Sequence, residues 1–342
     1  MKKRGKALKT ILISFGVAVV TLVAASGVFI YSELSKINAP ERLEYIGPEN
    51  EVFDTEGNSE YGTELPQLKP EDIVWPIGDE NNETAIPDTE GPYANKEIIN
   101  ILLIGQDRRP GEKRARSDAL IIASYSKKDG SLKLFSLMRD MYVPIPGYSD
   151  NRINAAYQFG GMELLDKTIK KDFGVTVDGN MEVSFEGFTQ LVDMLGGLDI
   201  ELNKTEAAHL NKKFGWKLSG GRNHLSGQQT LEYARIRHVG HGDFERTERQ
   251  RTVLANIYGS FSKLNVTKKY QMLDKMLPYL TTDMSKQEIL SCAYAVLKGG
   301  IKNIESYRIP AEGEYKMVKI RDMAVLVPNL AKARALLKDC VL

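Results

Sequence analysis

Three apolar runs lie close together between residues 98 and 138, and they leave few folds open. Residues 98–105 read IINILLIG, 119–126 read ALIIASYS and 132–138 read LKLFSLM. Short, β-branched, near-continuous apolar runs of this kind are strands. Lys127-Lys128-Asp129-Gly130 separates the second from the third, and Asp-Gly between two strands is a hairpin turn. If the first two strands also pair antiparallel, loop 106–117 sits at one edge of the sheet and the hairpin at the other. Asp107, Arg116, Asp118, Arg139 and Asp140 then gather at the first edge.

The rest of the chain alternates. Helical patterns cover 154–171, 186–195 (ended by Gly196-Gly197), 226–234 (capped by Ser226), 243–263 (opened by Asp243), 266–278, 285–298 and 328–339. Residues 183–185, 198–202 and 306–310 read as further short strands. Helices alternating with strands imply a layered α/β/α sandwich with a mixed central sheet, assigned to residues 96–342. No internal repeat is visible.

Ahead of that domain the composition changes twice. Residues 1–9 carry Lys2, Lys3, Arg4, Lys6 and Lys9, and then 10–31 run without a charge: TILISFGVAVVTLVAASGVFIY. Such a run is long enough to span a bilayer, and its basic flank belongs on the cytoplasmic side. A cleaved leader is the alternative, with Ala24-Ala25-Ser26-Gly27 as its small residues. The run exceeds the usual leader core and ends in Tyr31, a residue suited to a membrane interface, which favours a single-pass anchor at the cell membrane. Residues 32–95 are acidic and interrupted by Pro40, Pro48, Pro66, Pro70, Pro76, Pro87 and Pro92, with no sustained apolar period. They read as a flexible extracytoplasmic linker, with a small accessory domain around Val52–Trp75 as the alternative. Residues 41–90 hold 15 acidic side chains against Arg42 and Lys69, so the balanced total of 46 basic and 45 acidic residues conceals a basic domain. A basic domain favours anionic ligands, and placement outside the cytoplasm argues against nucleic acid. Cys292 and Cys340 leave a disulfide open, since spacing says nothing of their separation.

Cations and carboxylates are mixed where the strands and helices end. Arg116 and Asp118 are two apart and share a face in extended chain, as do Arg235 and Arg237. Arg246, Arg249 and Gln250 are three and four apart at the start of the helix after Asp243. Guanidinium forks beside a helix N-terminus make a cradle for a pyrophosphate. Asp107 and Asp118 are candidate ligands for a divalent metal, because magnesium takes one or two carboxylates together with phosphate oxygens. Asp140 is a third carboxylate, either orienting Arg139 or accepting a proton from an attacking hydroxyl. Met181, Phe185, Phe188, Leu191, Val192 and Leu195 are equally readable as ordinary core or as an apolar groove. Motifs for a P-loop, HExxH and GxSxG are missing, and His238 with His241 lacks further zinc ligands nearby.

At these residues the chain resembles the LytR-CpsA-Psr family of bacterial envelope proteins. The landmarks occur in order: Gly105-Gln106-Asp107, Arg116-Ser117-Asp118, Ser136 to Asp140, Arg152-Ile153-Asn154-Ala155-Ala156-Tyr157, Gly196-Gly197-Leu198, the run from Leu225 to Arg235, and Asp243 through Arg246 to Arg249-Gln250. The resemblance implies a magnesium- or manganese-dependent phosphotransferase outside the membrane. Its expected partners are a polyprenyl-pyrophosphate-linked glycopolymer, such as wall teichoic acid or capsule, and a peptidoglycan acceptor. It further implies that Asp107 and Asp118 hold the metal. Arg116, Arg139, Arg152, Arg235, Arg237, Arg246, Arg249 and Gln250 would bind pyrophosphate, with Asp140 and Asp243 orienting the arginines. Arg152 stands where the family commonly has Lys. Readings that compete with transfer are a lipid- or glycan-binding protein without turnover, a transcriptional attenuator, and a pyrophosphatase using water.

Overall fold

The computed structural model describes residues 32–41, 45–53, 55, 65–75, 96–106, 117–237, 239 and 243–338, without the side chains of residues 118, 243, 266, 270, 273 and 297. The 10–31 run, Asp107, Arg116, His238, His241 and Cys340 lie outside the described residues, as do the side chains of Asp118 and Asp243. No helix among the described residues is long and apolar enough to cross a membrane.

In chain order the elements are β1 (Ile98–Gln106), β2 (Ser117–Ser126), β3 (Ser131–Leu137), β4 (Tyr142–Val143), β5 (Asn151–Arg152), α1 (Ile153–Phe173), β6 (Gly179–Ser184), α2 (Phe185–Met194), β7 (Leu198–Leu202), α3 (Lys204–Phe214), β8 (Gly221–Leu225), α4 (Gly227–Ala234), α5 (Asp243–Ser262), α6 (Val266–Met276), β9 (Leu280–Thr282), α7 (Lys286–Gly299), β10 (Asn303–Ile309), β11 (Tyr315–Ile320), β12 (Met323–Pro328) and α8 (Leu330–Leu337). Six strands form one mixed sheet in the order β10-β3-β2-β1-β6-β9. β2 lies antiparallel between β1 and β3, while β6 runs parallel to β1 and β10 parallel to β3. Hence β1, β3, β6 and β10 point the same way and end at one edge. The expected β1–β2 adjacency holds, with Leu102 opposite Ile122 and Gln106 opposite Ser117.

Alternation along β1 decides the layers. Leu102 and Ile104 join Leu120, Ile122, Phe135 and Leu137 in a core closed by α1 and α8 through Phe159, Leu165, Ile169 and Leu330. Ile99 and Ile101 face the other way, onto Met284 and the α7 residues Ile289, Cys292 and Ala295. A further cluster packs β7, β8, α3, α4 and α5 around Leu198, Ile200, Leu210, Leu225, Tyr233 and Val253. Val192 is buried in that cluster, and Phe188 and Leu195 pack against it partly buried. Ser226 caps α4 through Gln229 as its position suggests. After α2 the chain turns through Gly196 and Gly197, both at positive φ; a Cβ on Gly197 would stand 2.9 Å from the Leu225 carbonyl oxygen. Only glycine enters that turn without strain.

The described residues 32–41, 45–53 and 65–75 ahead of the sheet depart from the expected flexible linker. Leu68 N–H donates to Lys319 O (3.0 Å) and Lys319 N–H to Pro66 O (2.9 Å), and Asn38 bridges to Thr281 of β9. Phe53, Leu68, Ile73 and Trp75 pack on Tyr142, Val318, Met323 and Val325. These apolar residues are spaced without a period because they contact the domain as an irregular strap, so helix or strand periodicity does not reveal them.

Candidate active site

The edge where the four parallel strands end receives the first guanidinium pair. β3 stops at Leu137, and Met138 N–H donates to Ile309 O (2.9 Å), leaving Arg139 and Asp140 just beyond the sheet. Asp140 is fully buried, and its backbone carbonyl accepts from Leu326 N–H (3.0 Å). Its carboxylate lies between two arginines: Oδ2 is 3.6 Å from Arg139 Nε, and Oδ1 is 3.3 Å from Arg152 Nε. Arg152 ends β5, opposite Tyr142, and its Nη2 donates to Ala324 O at 2.7 Å. An arginine at position 152 reaches the carboxylate and the carbonyl at once through its planar fork, which a lysine's single ammonium does not match. Of the two roles open to Asp140, its placement suits orientation of the two guanidiniums.

A third guanidinium arrives beyond β6, on the far side of β1 from β3. β6 ends at Ser184, opposite Gln106, and the next residue, Phe185, opens α2. The Arg235 guanidinium carbon lies 4.5 Å from the centre of the Phe185 ring, while Nη1 stands 3.6 Å from Glu232. A flat cation over an aromatic face is held in position without consuming its in-plane donors. Arg235 therefore arrives at the same edge as Arg139, although almost a hundred residues separate them.

Three contacts orient α5. Arg251 Nη1 donates to Ser136 Oγ of β3 (2.9 Å), Tyr258 O–H donates to Ile301 O below the start of β10 (3.4 Å), and Phe244 lies beneath Arg308 near the end of β10 (4.5 Å). The helix thus runs down the sheet, and its N-terminus, with the partial positive charge of unsatisfied N–H groups, points to the edge bearing Arg139. Arg246, on its second turn, is 2% exposed, while Gln250 and Arg237 are half-buried.

Arg249 is placed differently from the expected phosphate ligand. Its Nε donates to Glu206 (2.7 Å), Nη1 to Ile236 O (2.9 Å), and Nη2 to Glu245 (2.7 Å) and Val239 O (3.4 Å). Every nitrogen of the fork is committed to the protein. The side chain clamps the segment carrying Arg235 and Arg237 onto α5, which makes it a positioning residue. Glu245, four residues earlier, was a legible partner. Glu206, at the capped start of α3, was not, because nothing in the sequence brings residue 206 to residue 249.

Backbone register bears on the candidate metal ligands. β1 ends at Gln106 opposite Ser117, where β2 begins, and a register shift between Gly105 and Gln106 leaves position 118 of β2 between the pairs Gln106–Ser117 and Gly105–Ala119 at the arginine edge. Continued past Ile121 opposite Ser136, the β2–β3 register leads position 118 toward Arg139. Among the described residues no three acidic, cysteine or histidine side chains group as metal ligands. Two buried polar atoms without hydrogen-bond partners, Ser117 Oγ and Asn154 Oδ1, also belong to this edge.

Comparison with known proteins decides the relationship. The LytR_cpsA_psr family model matches residues 73–337. The chain belongs to this family. It is 31% identical over 253 residues to the regulatory protein MsrR of Staphylococcus aureus, covering 73% of this chain and 76% of MsrR. It is 34% identical over 234 residues to the polyisoprenyl-teichoic acid–peptidoglycan teichoic acid transferase TagU of Oceanobacillus iheyensis, covering 65% and 70% of the two chains. The fold matches the structure of TagT bound to LIIa-WTA with a TM-score of 0.63 at 24% identity, covering 75% of this chain and 92% of that one.

Proposed function

We propose that this family member is an extracytoplasmic, membrane-anchored transferase that moves a phosphorylated glycopolymer from a polyprenyl-pyrophosphate carrier to peptidoglycan. The observation that carries the proposal is the placement of Arg139 and Arg152 beyond β3 and of Arg235 beyond β6, at the one sheet edge toward which the N-terminus of α5 points. TagU, a transferase between polyisoprenyl-linked teichoic acid and peptidoglycan by name, supports the direction of transfer. The uncharged 10–31 run, with its basic flank, supports the anchor and the outward-facing domain.

A pyrophosphate bridge breaks when an acceptor hydroxyl attacks the sugar-linked phosphorus and polyprenyl phosphate leaves. Negative charge grows on the leaving oxygens. Arg139 and Arg235, steered by Asp140 and Phe185, stand where that charge is stabilised without the protein having to reorganise. Arg152 holds Asp140 in turn. The hard-oxygen donors Asp107 and Asp118, each next in sequence to one of the paired residues Gln106 and Ser117, fit magnesium or manganese. When bound, such an ion would neutralise part of the phosphate charge.

The test is transfer of a lipid-linked glycopolymer to peptidoglycan by the full chain. Asp118→Ala should keep affinity for the lipid pyrophosphate and lose metal-dependent transfer. Transfer at the wild-type rate in that variant refutes the metal assignment. Release of free polymer in place of wall-linked product would make the chain a pyrophosphatase, and binding with no turnover would make it a carrier.

A further inference from the structure

We infer that residues 45–53 and 65–75 form a strap that positions Arg152, and through it the Asp140–Arg139 pair, so that the acidic segment ahead of the domain is part of the ligand site's architecture. The inference rests on the proposed site; the strap itself is read from contacts independent of it.

Loop 148–151 delivers Arg152 to Asp140, and each of its four residues is bonded to the strap. Tyr148 O–H donates to Ile46 O (2.7 Å), Ser149 N–H to Glu51 Oε1 (2.9 Å), and Asn151 Nδ2 to Val52 O (3.3 Å). Asp150 Oδ2 accepts from Trp75 Nε1 (2.7 Å). Beyond the loop, α1 breaks at Gly160 and Gly161, whose backbones leave helical geometry. Ile46 N–H fills the gap by donating to Phe159 O (2.9 Å). A break in the helix frees a carbonyl that must find a donor, and the strap supplies it.

The second arm works from behind. Trp75 stacks on Tyr142 with ring centres 6.5 Å apart, and Tyr142 is the strand partner of Arg152. Residues 66–68 extend β11 by pairing with Lys319, and the β11–β12 hairpin supplies the Ala324 carbonyl that Arg152 grips and the Leu326 N–H that holds Asp140. Arg321, between the two strands, stacks on Phe53 (4.4 Å) and donates to Asp150 O (3.2 Å). The strap therefore contacts Asn151, Tyr142 and the β11–β12 hairpin, each of which supports Arg152. An arginine that must be held within a fraction of an ångström needs such backing.

The test uses the full-length chain in detergent, with octaprenyl pyrophosphate as probe and amide hydrogen exchange as a ligand-free readout. Trp75→Ala should speed exchange at the amides of Arg152 and Asn154 at least tenfold, leave the β7–β8 hairpin unchanged, and weaken probe binding about tenfold. Trp75→Phe keeps the ring on Tyr142 and should restore most of the affinity. In an Arg152→Ala background, Trp75→Ala should weaken binding no further while still lowering the melting temperature. Unchanged exchange at residues 148–154, or binding losses that add in the double variant, overturns the inference. Should Trp75→Ala fail to fold, Glu51→Ala, which removes only the Ser149 contact, is read in the same way. A wild-type chain that does not bind the probe refutes the proposed function, and the exchange result still decides the strap.

Discussion

The two ends of the central sheet use charge in opposite ways. At the end where β1, β3, β6 and β10 finish, two guanidiniums share one buried carboxylate, Asp140, and a third, Arg235, stands 3.6 Å from Glu232. At the other end carboxylates predominate: Asp178 pairs with the Lys96 ammonium, and amides donate to it and to its neighbours. Asp178 accepts from Asn100 N–H (2.9 Å), while Asp283 accepts from the Asn180 backbone (2.7 Å) and from its side chain (2.7 Å). Asp129, in the hairpin, accepts from Ser131 N–H (2.9 Å), and hydrogen bonds from the Ser131 backbone and side chain hold it down to about 2. A carboxylate tied to backbone N–H groups pins one strand to the next. Guanidiniums gathered about a shared carboxylate and a helix N-terminus are arranged for an anion from outside. Under the proposed function, the difference separates charge that serves the fold from charge that serves a ligand.

The largest expected effect comes from the arginine end. Arg139→Ala should lower transfer at least a hundredfold, the scale on which one oxyanion-stabilising group acts, and should cost little stability because Asp140 keeps Arg152. Kinetics of the purified chain beside its urea unfolding curve check both halves. A large stability loss with proportionate activity would make Arg139 structural and erase the contrast between the ends.

Arg249→Met should show the reverse pattern. Removing it leaves Glu206 buried without its cation and releases the Ile236 and Val239 carbonyls. Breaking a buried pair from one side costs about 3 kcal/mol, read as a shift of the urea midpoint at unchanged m-value. Affinity for octaprenyl pyrophosphate, measured where the variant is still folded, should fall less than in Arg139→Ala. If stability is unchanged and affinity collapses, Arg249 is a ligand-binding residue after all, as its place in the sequence suggests.

That contrast also marks how far the sequence could be read. The mixed sheet, its hairpin and the order of its helices follow from apolar period and turn chemistry, so β1 to β3 and the arginine edge were legible. The partners of each arginine were not. Arg152 and Arg249 look alike as cations near strand and helix ends, yet one leans on Ala324 and the other on Glu206, contacts across 172 and 43 residues. Sequence spacing carries no information at that range. The strap was hidden for a related reason: its binding energy comes from irregular apolar contacts and backbone pairing with β11, neither of which leaves a period. Small elements such as α3, β8, β9, β11 and β12 were passed over because short amphipathic segments resemble loops until their neighbours are known.

The smallest effect is expected at the carboxylate end, where pH should act on stability and leave transfer alone. Asp166 Oδ2 accepts from Asn180 Nδ2 (2.7 Å), while Oδ1 is buried without a hydrogen-bond partner. Burial pushes this carboxyl up to about 7; the Asn180 bond opposes the rise and Asp283 adds to it. Asp172, on the same helix, is pushed up to about 8, again chiefly by burial. Both groups bind a proton more tightly folded than unfolded. Their contribution to stability is complete below about pH 4, where the unfolded carboxyls also titrate, and is lost as pH rises through 7 and 8. Asp166→Asn keeps an acceptor for Asn180 and removes the charge. It should raise stability at pH 8 by about 1 kcal/mol and flatten the slope between pH 5 and 8, with transfer at the wild-type rate. Denaturant midpoints across that range measure it. A variant less stable than wild type at pH 8 would mean that the ionised carboxylate is wanted there. A variant that loses transfer would mean that the two ends of the sheet are not separate in function.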